Sequence, residues 1–233
     1  MPDDSPLPRS RRAFVGGLGQ LGLAAVVSPR VAGIAARTPA RAPSPSPNGS
    51  APGEWDLSWI ARLEDAPDRA VVDTTAIGGG FVLQIATRYL DNCDAVYGAG
   101  KHRARVVLNL RVRAVALGVN DGLWSRHALG VEYEVKDPVS QQPATRNIYM
   151  TPAADDAPGS GSIKGLVDRG AVILVCDFAL GHLAARLATK SGRTEEEVHR
   201  ELGAGLVDGA FLVPSGIFGL ARAQNAGCAY LNA

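Results

Sequence analysis

The stretch of residues 171–176, with the sequence AVILVC, decides the fold class of this chain. It is an all-apolar run of strand length, which is typical of a parallel strand that is covered on both faces. Two further short strand-like runs precede it, namely the β-branched residues 69–75 (RAVVDTT) and residues 104–110 (ARVVLNL). Helical patterns separate the three runs. Strands that alternate with helices predict an α/β fold, a single-domain layered structure with a mainly parallel sheet.

The segments around these runs continue the alternation. Apolar spacing predicts helices over 81–96, 163–169, 178–189 and 217–225, and further short strands over 210–213 and 228–231. Thr194 and Glu197 form a capping box, which predicts a helix that runs to about Leu202. Residues 114–129 read as a turn and a helix, with Asn120 or Asp121 as its cap. Residues 132–162 are polar and without period, and we expect a long surface excursion there.

Four side chains follow the predicted strands directly and are therefore candidate site residues. Arg111 and Arg113 come after the second strand, Cys176 ends the third, and Ser215 follows the fourth. The carboxyl ends of parallel strands meet at one edge of the sheet, where ligands bind in folds of this class. We expect Cys176 to be the nucleophile, Arg111 and Arg113 to bind an anion, and Ser215 to cap a helix whose N–H groups face the site.

Two interpretations of Cys176 stay open. A thiolate at the start of a helix is stabilised by the helix dipole and by free N–H groups, although the neighbouring Asp177 opposes this effect. Against that, a free cysteine at the end of an apolar strand is commonly a buried packing residue. Cys93 and Cys228 are interpreted as packing residues, with a disulfide between them as an alternative. Neither a CxxC pair nor a metal-binding spacing of the four histidines occurs, and nothing in the sequence demands a cofactor.

Charge and composition separate the first 52 residues from the remainder. The chain as a whole has a formal charge of +1, with 24 basic and 23 acidic side chains, which argues against a nucleic-acid partner. Six of the arginines lie in the first 52 residues, against only Asp3 and Asp4. Hydrophobic residues make up 46% of the sequence, which excludes a disordered chain.

The amino-terminal segment resembles a twin-arginine (Tat) export signal. Arg11 and Arg12 are followed by Phe14 and by a mild apolar run over 16–27, which is too short to span a membrane. We therefore predict a signal over 1–37, a Pro/Ser-rich linker over 38–53 and a folded domain over 54–233. The resemblance implies a periplasmic or otherwise exported protein with no stable membrane span after signal cleavage.

Several segments of the folded part are similar in order to exported proteins of the DsrE/DsrF/TusD (YchN-like) family. They are YLDNCDAVYG (89–98), VVLNLR (106–111), ALGVNDGLW (116–124), the run that ends at Cys176, and the tail VPSGIFGLARAQNAGCAYL (213–231). The resemblance implies a DsrE-like α/β fold and a homo-oligomer. It also implies a persulfide on Cys176, because sulfur-relay members carry one after a central strand. Those members act in the cytoplasm with partner subunits, whereas this chain carries an export signal.

Three hypotheses follow for the function. The first is an exported sulfur carrier that holds a persulfide on Cys176 and exchanges it with a sulfur donor or acceptor protein, rather than a turnover enzyme. The second is a non-catalytic oligomeric binding module in which Cys176 is structural. The third is a thiol-redox protein in which Cys93 or Cys228 resolves a disulfide with Cys176.

Overall fold

The computed structural model describes residues 55–99, 103–151 and 161–233. The predicted export signal, the predicted linker and the predicted start of the domain at residue 54 all lie outside these residues. Five strands form a single sheet: Asp68–Thr74 (β1), Ala104–Leu110 (β2), Val172–Cys176 (β3), Ala210–Val213 (β4) and Ala229–Asn232 (β5). Their order is β4-β3-β2-β1-β5, and every neighbouring pair is parallel. The predicted α/β fold with a parallel sheet is confirmed.

Helices connect the strands and cover the sheet. They are Ala61–Glu64 (α1), Phe81–Tyr97 (α2), Asp121–Arg126 (α3), Leu129–Glu132 (α4), Ile163–Asp168 (α5), Asp177–Ser191 (α6), Glu195–Ala204 (α7) and Gly216–Asn225 (α8), with 3₁₀ segments at Gly78–Gly80 and Val112–Gly118. Within the described ranges, no helix combines the length and the apolar character that crossing a bilayer requires.

Side chains alternate along the strands between two separate hydrophobic cores. In β3, Ile173 and Val175 belong to a large core that also contains Leu83 of α2 and Leu183 of α6. The residues between them, Val172 and Leu174, belong to a smaller core on the opposite face, together with Leu63 of α1 and Ala223 of α8. The sheet is thus buried on both sides, which explains why its central strand is apolar at every position.

Local capping signals determine where several of these helices begin. Thr194 and Glu197 form the predicted capping box at the start of α7. The Asn120 side chain accepts a hydrogen bond from the N–H of Leu123 at 3.1 Å, as predicted for the start of α3. The short helix α1 carries too little periodicity to be recognised, and its buried Leu63 is held in place by packing.

The predicted surface excursion over 132–162 lies largely at the surface in its described part, but a few of its residues are anchored in the core. Val135, Ala144 and Asn147 are buried. The Asn147 amide donates to the carbonyl oxygens of Leu117 and Val119, both at 2.9 Å, so it satisfies buried backbone acceptors at the end of the 3₁₀ segment Val112–Gly118. A polar residue that serves a tertiary role of this kind leaves no periodic signal in the sequence.

Candidate thiol site

A cleft of about 400 Å³ opens at the carboxyl ends of β2, β3 and β4. Its size lies at the lower end of the range of small-molecule sites. Arg111, Arg113, Cys176 and Ser215, the four residues that the sequence places at strand ends, all line it. The fold therefore brings side chains from three separate strand ends to one cavity.

Cys176 lies between β3 and α6 and serves as the N-cap of this helix. Its Sγ accepts a hydrogen bond from the N–H of Ala179 at 3.4 Å, and the residue is 4% exposed. A helix N-terminus and a backbone N–H both stabilise negative charge on the atom that they face. Cys176 is thus mostly buried and borders the cleft.

Arg111 is held by a buried carboxylate. Its Nε and Nη2 donate to Oδ1 and Oδ2 of Asp73 at 2.8 and 2.7 Å. The amide of Asn109 donates to the same Oδ1 at 2.8 Å, and Asp73 is only 2% exposed. The Asp73 hydrogen bonds raise the pKa of Arg111 above its ordinary value. Arg111 is therefore a fixed cation whose charge Asp73 largely balances.

The start of α8 packs closely against the Arg111 side chain. Ser215 caps this helix, because its Oγ accepts from the N–H of Phe218 at 3.2 Å. A Cβ on Gly216 would come within 2.8 Å of the Arg111 Cβ. Glycine at this position therefore allows the arginine stem to cross the helix end, and the predicted capping role of Ser215 is confirmed.

Arg113 is the cation of the cleft that lacks a carboxylate partner among the described residues. Its guanidinium lies 4.9 Å from the centroid of the Tyr133 ring, which is a cation–π distance. Arg186 donates from Nη2 to the hydroxyl oxygen of the same tyrosine at 3.4 Å. It also donates from Nε to Oε1 of Glu132 at 2.9 Å, so its charge is paired. Arg113 therefore contributes a positive charge that no carboxylate of the described ranges neutralises.

Sequence analysis missed the contribution of α6 to the cleft. Phe178, His182 and Arg186 line it from successive turns of this helix. Their spacing of four residues places them on one face, so the pattern is visible in the sequence once Cys176 is taken as the helix start. The Phe178 and His182 rings meet edge to face, with centroids 4.7 Å apart.

The lining of the cleft is cationic and apolar. Three arginines and a histidine line it, and neither Asp nor Glu is among the lining residues that the structure describes. Val112, Phe178 and Ile217 form an exposed apolar rim, with exposed fractions of 55, 61 and 74%. A ligand that combines an anionic group with an apolar body matches this lining.

A buried polar pair supports the start of α6 from behind. Asp177 follows the cysteine directly, and its Oδ1 lies 2.9 Å from Nε2 of His199 on α7. Both residues are at most 2% exposed. The pair ties the first turn of α6 to α7 and so holds Cys176 in position.

Cys93 and Cys228 lie far from the cleft. Cys228 precedes β5, whose first residue pairs with Ala70 near the amino end of β1, whereas Cys176 ends β3 at the opposite edge of the sheet. By the strand register, Cys228 and Cys176 are six residues apart along the strand direction, which amounts to roughly 20 Å. Burial raises the pKa of both thiols, that of Cys228 to about 11. Neither cysteine is placed to resolve a disulfide with Cys176.

Potential metal ligands are not clustered in the part of the chain that the structure describes. No group of three or more His, Cys, Asp or Glu side chains there could hold a metal ion. His127, His182 and His199 lie at different elements, and two of them each pair with one carboxylate of α6 or α7, which is fewer ligands than a metal site uses.

No family model and no curated protein matches this chain. Among solved structures it is similar to a protein of unknown function, MTH1491 from Methanobacterium thermoautotrophicum, with 17% sequence identity and a TM-score of 0.37. That likeness covers 71% of this chain and 99% of the other. These comparisons assign the chain to no family.

Proposed function

We propose that this protein is an exported DsrE-like sulfur carrier that holds sulfane sulfur as a persulfide on Cys176. In the loading step, the Cys176 thiolate attacks the terminal sulfur of a donor persulfide, R–S–SH. The S–S bond of the donor breaks, a new S–S bond forms on Cys176, and the donor leaves as the thiolate R–S⁻ with the electron pair. The sulfur keeps its oxidation state, so the step needs neither an oxidant nor a metal.

The observation that carries the proposal is the convergence of Cys176, Arg111 and Arg113 on one cleft. A persulfide is anionic at neutral pH, and the described lining of the cleft contains cations and no carboxylate, although Asp73 behind Arg111 balances the charge of that arginine. The capping hydrogen bond that the Ala179 N–H donates to Sγ also supports the proposal, since it stabilises negative charge on that sulfur. The resemblance of the amino-terminal segment to a Tat signal supports the location, and the resemblance to DsrE-like segments supports the carrier role and favours a homo-oligomer with a donor or acceptor protein.

Intact mass spectrometry after exposure to an organic persulfide, glutathione persulfide, tests the proposal. We expect the mass of the native protein to increase by that of one sulfur atom. The addition should be removed by a reducing agent, as a persulfide is. The Cys176→Ser variant should not gain it, whereas Cys93→Ala and Cys228→Ala should load like the parent.

Serine is the informative substitution because it preserves the structural role of Cys176. A serine Oγ is a better N-cap than a thiol, so α6 should keep its cap and the variant should fold. Loss of loading in Cys176→Ser therefore reports chemistry and not misfolding. Equal loading of Cys176→Ser and the parent, or no loading of the native parent, would overturn the proposal.

A second candidate is a non-catalytic binding module in which Cys176 only caps α6. The burial of Cys176 favours it, and so does the exposed apolar rim of Val112, Phe178 and Ile217. This candidate predicts that the native protein gains no sulfur, and that a thiol-specific alkylating reagent labels Cys176 as slowly as Cys93 and Cys228.

A further inference from the structure

We infer that the cleft selects a small organic persulfide that bears a carboxylate, bound by Arg113, over inorganic or uncharged sulfur donors. This inference rests on the proposed function and names the class of donor. It follows from the distribution of charge and apolar surface along α6. Loading of sulfur on Cys176 does not by itself require such a distribution.

The cleft is too long to be filled by an inorganic donor. Cys176 and Arg186 both line it, and they are separated by ten residues of α6, or about 15 Å along the helix axis. Arg186 leans back toward the amino end of the helix, since its Nη1 donates to the carbonyl oxygen of His182 at 3.1 Å. Roughly 10 Å therefore separate the thiol from the basic end of the cleft. A ligand of peptide size spans this length, and a thiosulfate or sulfide ion does not.

The two ends of the cleft differ in their free charge. At the thiol end, the charge of Arg111 is balanced by buried Asp73. At the far end, Arg186 shares Glu132 with Lys190, so that corner holds two cations and one carboxylate. Arg113 adds a further positive charge beside Tyr133. The excess positive charge thus lies away from the thiol, where it binds an anionic group on the body of the donor rather than the sulfur that is transferred.

The apolar rim explains why the donor should be organic. Val112, Phe178 and Ile217 line the same cleft and are exposed, and their side chains offer no hydrogen bond to an inorganic anion. They can cover the methylene and peptide groups of a larger molecule. A carboxylate at one end, a persulfide at the other and a carbon body between them is the arrangement that matches all three parts of the cleft.

The test compares two donors with the same peptide body, one with free carboxylates and one with its carboxylates masked as ethyl esters. Glutathione persulfide carries free carboxylates, and the persulfide of glutathione diethyl ester has the same body with those groups masked. We expect the native protein to be loaded at Cys176 about tenfold faster by the free acid, as intact mass spectrometry over time would show, because one charge-assisted contact is worth about that factor. Arg113→Gln should bring the free-acid rate down toward that of the ester. Arg88→Gln, an exposed arginine on α2 outside the cleft, removes the same charge and should keep the preference.

The outcomes distinguish this inference from the proposed function. Equal loading by both donors would overturn the inference and leave Cys176 as a sulfur carrier. If neither donor loads Cys176, the proposed function falls, and the anion site is then tested alone by calorimetry with S-methylglutathione on Cys176→Ser. Binding that is lost in the Arg113→Gln background supports the carboxylate site, and binding that is absent or independent of Arg113 overturns it.

Discussion

Asp73 determines the position of Arg111, and it does so from the interior of the protein. The Asp73 carboxylate is 2% exposed, and both Arg111 and the Asn109 amide donate to it. Register pairs Asp73 with Asn109, so these two buried polar residues lie side by side on neighbouring strands. A buried charge with two fixed donors is costly to disturb.

We expect Asp73→Asn to lower the free energy of unfolding by about 2–3 kcal/mol. The substitution removes the negative charge that pairs with Arg111. It also replaces one acceptor oxygen by an amide N–H donor, which then faces the donor groups of Arg111 or Asn109. Urea unfolding at neutral pH measures the loss. Asp65→Asn is the matched control, because Asp65 pairs with Arg103 on the surface, and surface pairs contribute at most about 1 kcal/mol. Similar losses in the two variants would contradict a structural role for the Asp73 carboxylate.

Val112 has a backbone conformation that β-branched residues rarely adopt. Its φ is +55°, and its side chain is 55% exposed on the rim of the cleft, so packing does not compensate for the strain. Residues that hold such a conformation cluster at functional sites. Here the strain directs the chain from Arg111 to Arg113 so that both side chains reach the same cleft.

Glycine at position 112 should relieve this strain. A left-handed conformation costs an L-residue about 1–2 kcal/mol, which exceeds the roughly 0.5–1 kcal/mol that glycine loses in backbone entropy. We therefore expect Val112→Gly to unfold at an equal or higher urea concentration than the parent. Val131→Gly serves as the control, since Val131 is 62% exposed within α4 and glycine there should destabilise the protein. A clear destabilisation by Val112→Gly would show that its side chain has a packing role.

At the scale of elements, the contact between α3 and α7 contains a titrating group. His127 follows α3 and lies 3.5 Å from the Glu201 carboxylate of α7. Burial lowers the pKa of His127, although the Glu201 carboxylate acts in the opposite direction. The imidazole is thus held neutral in the folded protein and gains a proton more readily when the chain unfolds.

This shift predicts that acid weakens the protein through His127. Its contribution is present in full above the ordinary histidine pKa of about 6.5 and is lost as the pH falls below that value toward the lowered pKa of the folded state. We expect the free energy of unfolding to fall between about pH 7.5 and 5.5, and His127→Gln to flatten that decline. Urea unfolding at several pH values measures both slopes. Identical slopes would assign the pH dependence to other groups.

Local signals predicted most elements, and tertiary contacts explain the exceptions. The Thr194 capping box and the Asn120 cap act within a few residues, so the sequence contains all the information they need. The burial of Asn147 depends on carbonyl groups some thirty positions earlier in the chain. The partnership of Asp73 with Arg111 is of the same kind. Its one visible signal is a carboxylate inside an apolar strand.

At the scale of the whole molecule, the connections between the parallel strands determine where the cleft lies. The chain moves outward from β1 to β4, with α2 and α6 on the large-core face, and then returns to β5 through α8 on the other face. Right-handed crossovers require this change of face when the direction reverses. Because every strand is parallel, the ends of β2, β3 and β4 share one edge, and this is why residues at strand ends could be named as a group from the sequence.

The same polarity separates the three cysteines, and this leads to a prediction about oxidation. Cys176 lies at the carboxyl edge of the sheet, and Cys228 lies at the amino edge, roughly 20 Å away along the strands. Cys93 lies toward that amino edge too, since Asp68 at the start of β1 contributes to its raised pKa. A disulfide requires Cα atoms about 4.4–6.8 Å apart, so the folded protein cannot join Cys176 to either partner within one chain.

Mild oxidation with diamide, followed by digestion and mass spectrometry without reduction, should yield no intramolecular peptide pair that contains Cys176. Oxidation in urea is the control, because an unfolded chain can form all three pairs. A Cys176–Cys93 or Cys176–Cys228 pair formed under native conditions would instead support the thiol-redox hypothesis. It would also require the folded domain to open, because the paired cysteines lie at opposite ends of the strands.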